Sequence, residues 1–130
     1  MDVAVGAQGR VRHVVGDEDT AQALGSGDLP VLGTPRLVAW VEAATRAALD
    51  GSLARGETTV GTVVHVEHLA ASGPGTEVVA AAVVTGVDGR RVAFAVEAHD
   101  TSGRLLARGS VERVVVDAAR FLDGPSRRGQ

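Results

Sequence analysis

Residues 34–49 carry the only long helical apolar pattern in this chain, and the pattern runs round most of the helix. Leu37, Val38, Trp40, Val41, Ala44, Ala48 and Leu49 leave little circumference for water. A helix that apolar has to be surrounded rather than laid on a surface. The material left to surround it is strand. Thr58–Ala71, Glu77–Val87, Arg91–Asp100 and Leu105–Val116 are rich in Val and Thr and longer than average strands, and residues 10–15 (RVRHVV) alternate as a short one. The prediction is an α+β domain in which about five antiparallel strands curve around one long central helix. At 130 residues with 45% apolar composition, one core is enough and a single domain is expected over residues 1–123. Residues 124–130 are expected to form a disordered tail.

Local signals punctuate this plan. Thr34 is expected to cap the helix and Pro35 to occupy its first turn, where the missing N–H costs nothing. Gly51 is a plausible stop. Ser72-Gly73-Pro74-Gly75, Asp88-Gly89 and Ser102-Gly103 separate the strands, which predicts a meander of consecutive antiparallel neighbours. The strand after the helix is then an exposed Val-rich edge. Pairing it with its twin gives a two-fold homodimer, with a tetramer as a further step.

Composition removes several function classes. There is no cysteine, so there is no disulfide framework, thiolate nucleophile or Cys-based zinc site, in keeping with a cytoplasmic setting. The N-terminus has no long apolar run, so no signal peptide or membrane anchor is expected. A net charge of −3 and only Trp40, Phe94 and Phe121 as aromatics argue against nucleic acid. All basic residues are arginine, a bias of composition that warns against giving each one a role. His65, Glu67 and His68 cluster in sequence. On a strand, however, His68 points away from the other two, and no metal site is expected.

Three side chains carry candidate chemistry. Glu42 lies two turns inside the apolar helix and can act as nucleophile or general base; the alternative is a salt bridge with Arg46 one turn on. Thr34 at the helix start can orient a carboxylate or water, or simply cap. His68 shares strand parity with Val60, Val64 and Val66, the series assigned to the helix-facing side. It can shuttle a proton, or be a hydrogen-bonded core histidine. Gly61 either admits a close backbone approach or marks a bulge. Arg113 can contact substrate, hold a carboxylate, or pair with Glu112 or Glu97. Arg90 and Arg91 beside a turn could meet phosphates.

The order of segments is TPRLVAWVE, then VGTVVHVEHLAASGPGTEV, then AHDTSGRLLARGSVERVVVDAARF. It resembles the hot-dog thioesterases over roughly residues 10–121, most closely the branch that includes the fluoroacetyl-CoA thioesterases. The resemblance implies a hot-dog fold. It also implies a catalytic Thr, Glu and His, which fall on Thr34, Glu42 and His68. A Gly near the thioester carbonyl falls on Gly61, and the Arg of an E-R-x-V motif falls on Arg113. The implied reaction is hydrolysis of an acyl-CoA, or of an acyl carrier protein thioester, to a carboxylic acid and the free thiol. Coenzyme A enters only as part of the substrate, and no cofactor is expected. A hot-dog protein that binds acyl-CoA without turnover is the runner-up, and a hot-dog dehydratase the third reading. One departure stands out. The branch has aromatic residues before the helix that cover the acyl pocket, whereas GSGDLPVLG here has none. An open, mobile cover over Gly25–Leu29 and weak selectivity for a fluorinated acyl group are the expectation.

Overall fold

The structure, a computed structural model, describes residues 1–124. The tail expected at 124–130 therefore falls outside the described residues apart from Gly124. Five strands make one antiparallel sheet: β1 (Gln8–Val14), β2 (Glu57–His68), β3 (Glu77–Asp88), β4 (Arg91–Asp100) and β5 (Leu105–Asp117). Helix α2 (Thr34–Ala48) is the long one, flanked by the short α1 (Ala21–Leu24) and α3 (Ala118–Leu122). No helix among the described residues is long and apolar enough to cross a membrane.

The sheet wraps α2 as its pattern demands. Leu37, Trp40, Val41, Ala44 and Ala48 of α2 are buried with Val78, Ala80, Val84, Val92, Phe94, Val111 and Val115 of the sheet. Strand β1 lies close against the helix because Gly9 has no side chain. A Cβ there would run into the backbone of Ala44 and Ala48 and come within 2.8 Å of the Ala47 carbonyl carbon. Beyond it, the His13 ring stacks on Trp40 at 4.7 Å with 7° between planes. That stack shields the one indole of the core.

The strand order corrects the expected meander. It is β1-β3-β4-β5-β2, so β3, β4 and β5 are consecutive neighbours but β2 joins β5 and not β3. The physical reason lies in the link between β2 and β3. It closes no hairpin, and its backbone bonds go elsewhere. The Ser72 carbonyl accepts from Leu32 N–H at 2.7 Å, the Thr76 carbonyl from Val15 N–H at 2.9 Å, and Gly75 N–H donates to the Val15 carbonyl at 2.8 Å. The link is thereby tied to the start of α2 and the end of β1, and it carries the chain from one border of the sheet to the other side. Strand β2 is left as an edge, as expected, and Gly61–His65 in its middle is exposed.

A bulge in β2 also corrects the expected parity. Gly61 pairs with Arg113 but Val63 pairs with Glu112, so one extra residue enters the strand at Thr62. An extra residue reverses the alternation. Val64 lies opposite the buried Val111, and Val66 packs on the core, as read from the sequence. Before the bulge the side facing α2 is Thr59 and Gly61, not Val60.

Candidate active site

Glu42 projects from α2 toward the start of β2. Its carboxylate stands where a Gly61 side chain would be: a Cβ on Gly61 would collide with Oε2, and would lie 3.4 Å from Arg113 Nη1. Thus Gly61 does two things. It sits at the bulge, and it leaves the volume that the carboxylate fills. Any larger residue would push the carboxylate away.

Arg113, opposite Gly61 on β5, holds this arrangement. It is only 5% exposed. Nη1 donates to Glu42 Oε2 at 3.3 Å, Nε to Thr59 Oγ1 at 2.8 Å and Nη2 to the Thr59 carbonyl at 3.2 Å. Burial pushes the guanidinium pKa below its usual value; the Glu42 charge opposes that shift and nearby Arg46 adds to it. Arginine remains a cation at neutral pH regardless. The ion pair therefore joins Glu42 to Arg113 rather than to Arg46, and Arg113 pairs with neither Glu112 nor Glu97. Thr59, which sequence reasoning passed over, is the third member. Its signal was hidden by the bulge, since uniform alternation turns it away from the helix.

Thr34 departs from its expected cap role. The helix is capped at Gly33 with no side-chain bond, and Thr34 is its first residue. Helix limits shift by a residue between criteria, but the hydroxyl's partner decides the matter. Thr34 Oγ1 meets His68 Nδ1 at 2.7 Å. The hydroxyl thus serves the imidazole at the far end of β2. His68 is half-buried. Desolvation lowers its pKa from the ordinary value, with the Ala70 backbone opposing. The ring is therefore neutral at pH 7. Nε2 is shielded from solvent and has no well-aligned hydrogen-bond partner. A cleft of about 260 Å³ lies beside it, lined by Val31, Leu69, Ala70 and Ala71.

Within one chain these side chains form two groups. Thr34 with His68 is one; Glu42 with Gly61, Arg113 and Thr59 is the other. Eight residues of helix separate Thr34 from Glu42, about 12 Å along the axis. Among the described residues no cluster of three or more His, Asp or Glu is placed to hold a metal ion. His65 and Glu67 lie on the opposite side from His68, and Glu67 reaches Arg108 at 3.7 Å.

The segment before α2 is more tightly bonded than its glycines suggest. Thr20 and Leu32 form a bridge, Ala21 N–H donates to the Val31 carbonyl at 2.8 Å, and Gly25 closes α1 in a left-handed conformation with φ of 73°. An Arg36–Asp19 ion pair at 3.0 Å fastens its base to α2. Only the tip around Gly25–Leu29 stands out, with Leu29 65% exposed and no aromatic ring present.

Comparison with known proteins identifies the fold and the family. Residues 15–119 match the family described as fluoroacetyl-CoA-specific thioesterase. The chain is 35% identical over 91 residues to the fluoroacetyl-CoA thioesterase of Streptantibioticus cattleyicolor; the match covers 70% of this chain and 65% of that relative. A solved structure of a fluoroacetyl-CoA thioesterase superposes with a TM-score of 0.89 at 29% identity, covering 100% of this chain and 99% of that one. A Thermus thermophilus hypothetical protein, a thioesterase superfamily member, superposes with a TM-score of 0.88 at 31% identity, covering 97% and 92%. The fold is the hot-dog fold, and the chain belongs to the fluoroacetyl-CoA-specific thioesterase family.

Proposed function

We propose that this protein hydrolyses an acyl-CoA thioester, with Glu42 as the group that attacks the carbonyl or activates the attacking water. The observation that carries this reading is the Glu42 carboxylate, seated over Gly61 and held there by the buried Arg113. A salt bridge serving stability alone needs no vacated side-chain volume beside it. A reacting carboxylate does, because fixed geometry supplies much of the rate. The Thr34–His68 pair supplies the proton chemistry. The Thr34 hydroxyl engages Nδ1, accepting or donating according to the ring tautomer, and Nε2 has no hydrogen-bond partner among the described residues. Such a pair can orient water and deliver a proton to the leaving thiolate.

The two groups meet across a homodimer in this proposal. Edge strand β2 has an exposed middle, with Val63 and Val64 each 37% exposed. Two-fold pairing of β2 with a second copy runs the strands antiparallel. The His68 end of one strand then approaches the Gly61 end of the other. Each site takes Glu42 and Arg113 from one protomer and Thr34 and His68 from its partner.

A complementation experiment tests both statements. Glu42→Gln alone is expected to lose at least about a hundredfold in turnover while remaining folded. Glu42→Gln and His68→Ala chains, each inactive, are then produced together. Random pairing puts one intact site in each mixed dimer, and roughly a quarter of wild-type activity returns. No recovery in confirmed mixed dimers contradicts the shared site. Near-normal turnover by Glu42→Gln returns Glu42 to a structural ion pair.

Acid should inactivate the enzyme through His68. Its folded-state pKa lies below the unfolded one, so the neutral ring is the working form. kcat/KM is expected to hold at neutral pH and fall only below the ordinary histidine pKa, about 6.5. Protonation also favours the unfolded chain, because stability from this group is lost as pH drops below that value. Circular dichroism at each pH separates the two effects. A loss of activity centred above pH 7 contradicts a depressed His68.

Substrate choice follows from the cover. Without a ring at Gly25–Leu29, one fluorine gains little contact, and binding discrimination of one small group is about 1–3 kcal/mol. The ratio of kcat/KM for fluoroacetyl-CoA over acetyl-CoA should stay within that range, with activity on some bulkier acyl thioester. A preference of about a thousandfold or more contradicts this reading.

A further inference from the structure

We infer that the cleft between α3 and the β3–β4 turn binds the phosphorylated adenosine end of the coenzyme A carrier, an inference that rests on the thioesterase reading above. The cleft measures about 490 Å³ and is lined by Arg90, Val114, Val116, Arg120 and Phe121. Sites for small organic ligands commonly fall within roughly 300–1,000 Å³.

Its chemistry matches a phosphorylated purine. Phe121 is 44% exposed, which is unusual for an aromatic in a chain with so few, and it leaves a ring free for base stacking. Arg90 and Arg120 line the same cleft as that ring, and guanidinium is the side chain that best matches phosphate oxygens.

The two guanidinium groups of the cleft differ in their partners. Asp117, which also lines the cleft, caps α3 by accepting from the Arg120 backbone N–H at 2.9 Å. Glu57 shares its carboxylate among Arg90 at 3.2 Å, the chain's amino group at 3.2 Å and the Ala54 N–H at 2.8 Å. Arg90 is thus engaged by Glu57, whereas the Arg120 guanidinium makes no ion pair with any described residue.

Position supports the same occupant. Asp117 lies four residues along β5 from Arg113, about 13 Å. An extended pantetheine arm reaches farther than that. Arg113 faces the helix while Val114 and Val116 face outward, so the arm has to round the end of the β2–β5 pair, where Glu57 meets Asp117. A second cleft, of about 280 Å³, opens on the inner side of that same end. It is lined by Arg46, Gly51, Leu53, Thr58 and by Thr59, the residue that Arg113 holds. The two clefts mark a route from Glu42, past Arg46 and round the strand ends, to Arg90 and Arg120.

The test uses the full chain and adenosine 3′,5′-bisphosphate as the binding probe, with acetyl-CoA and acetyl-pantetheine as paired substrates. Arg120 and Phe121 are exposed, so Arg120→Ala and Phe121→Ala should fold normally. Each is expected to weaken bisphosphate binding about tenfold, and to raise KM for acetyl-CoA by a similar factor. kcat, and all rates on acetyl-pantetheine, should stay unchanged. Absence of bisphosphate binding by the wild type, binding unaltered in both variants, or equal losses on the two substrates would each overturn the inference. Failure of the wild type to hydrolyse any thioester would remove the thioesterase reading instead, and the bisphosphate titration would still decide what the cleft binds.

Discussion

A buried guanidinium near the edge of a sheet is the constraint on which this site depends. Arg113 is withdrawn from water, and an isolated buried charge is costly enough that a partner has to be supplied. Glu42 supplies the charge, and Thr59 supplies a hydroxyl and a carbonyl. Three elements are joined as a result: the central helix, the edge strand and its neighbour. Removing one member of such a buried pair typically costs about 3–5 kcal/mol. Glu42 is itself one-third exposed, so the balance here lies below that range. In the proposed reaction this partial exposure gives substrate access to the carboxylate. Arg113 keeps it in place, and its other side is open to solvent.

Much of this was legible in the sequence. A helix apolar on nearly every side has one stable solution beside Val-rich strands, and that reasoning led to the enclosed α2. Glu42 stood out because a carboxylate within such a helix requires an explanation. Other features were hidden for definite physical reasons. The bulge at Thr62 reverses strand alternation, and single-residue bulges have no reliable sequence mark. Gly61 was compatible with a bulge or with a close approach, and the structure shows both. Thr59 was therefore missed and Val60 placed on the wrong side. Thr34 looked like a cap because capping is the commonest use of a hydroxyl there; a histidine 34 residues away took it instead. The expected meander failed because the β2–β3 link is held by Val15 and Leu32, a long-range pairing that local turn residues do not announce.

The segment before α2 stands apart from this arrangement. Glu42, Thr59, Gly61 and Arg113 sit on α2, β2 and β5, while the segment before α2 is a separate excursion fastened at its base. On the proposed function, chemistry would rest on the sheet and helix and selectivity on this separate segment, as a scaffold with variable loops allows.

Gly61→Ala tests the central claim most directly, measured as kcat on a thioester substrate alongside thermal unfolding. The added Cβ meets the end of a flexible side chain and not backbone, so the fold can accommodate it by moving the carboxylate. A displacement of about 1 Å is enough to cost on the order of a hundredfold in rate. The account predicts that loss in kcat with the melting temperature nearly unchanged. Full activity in Gly61→Ala, or a loss of activity that merely follows a loss of stability, would contradict it.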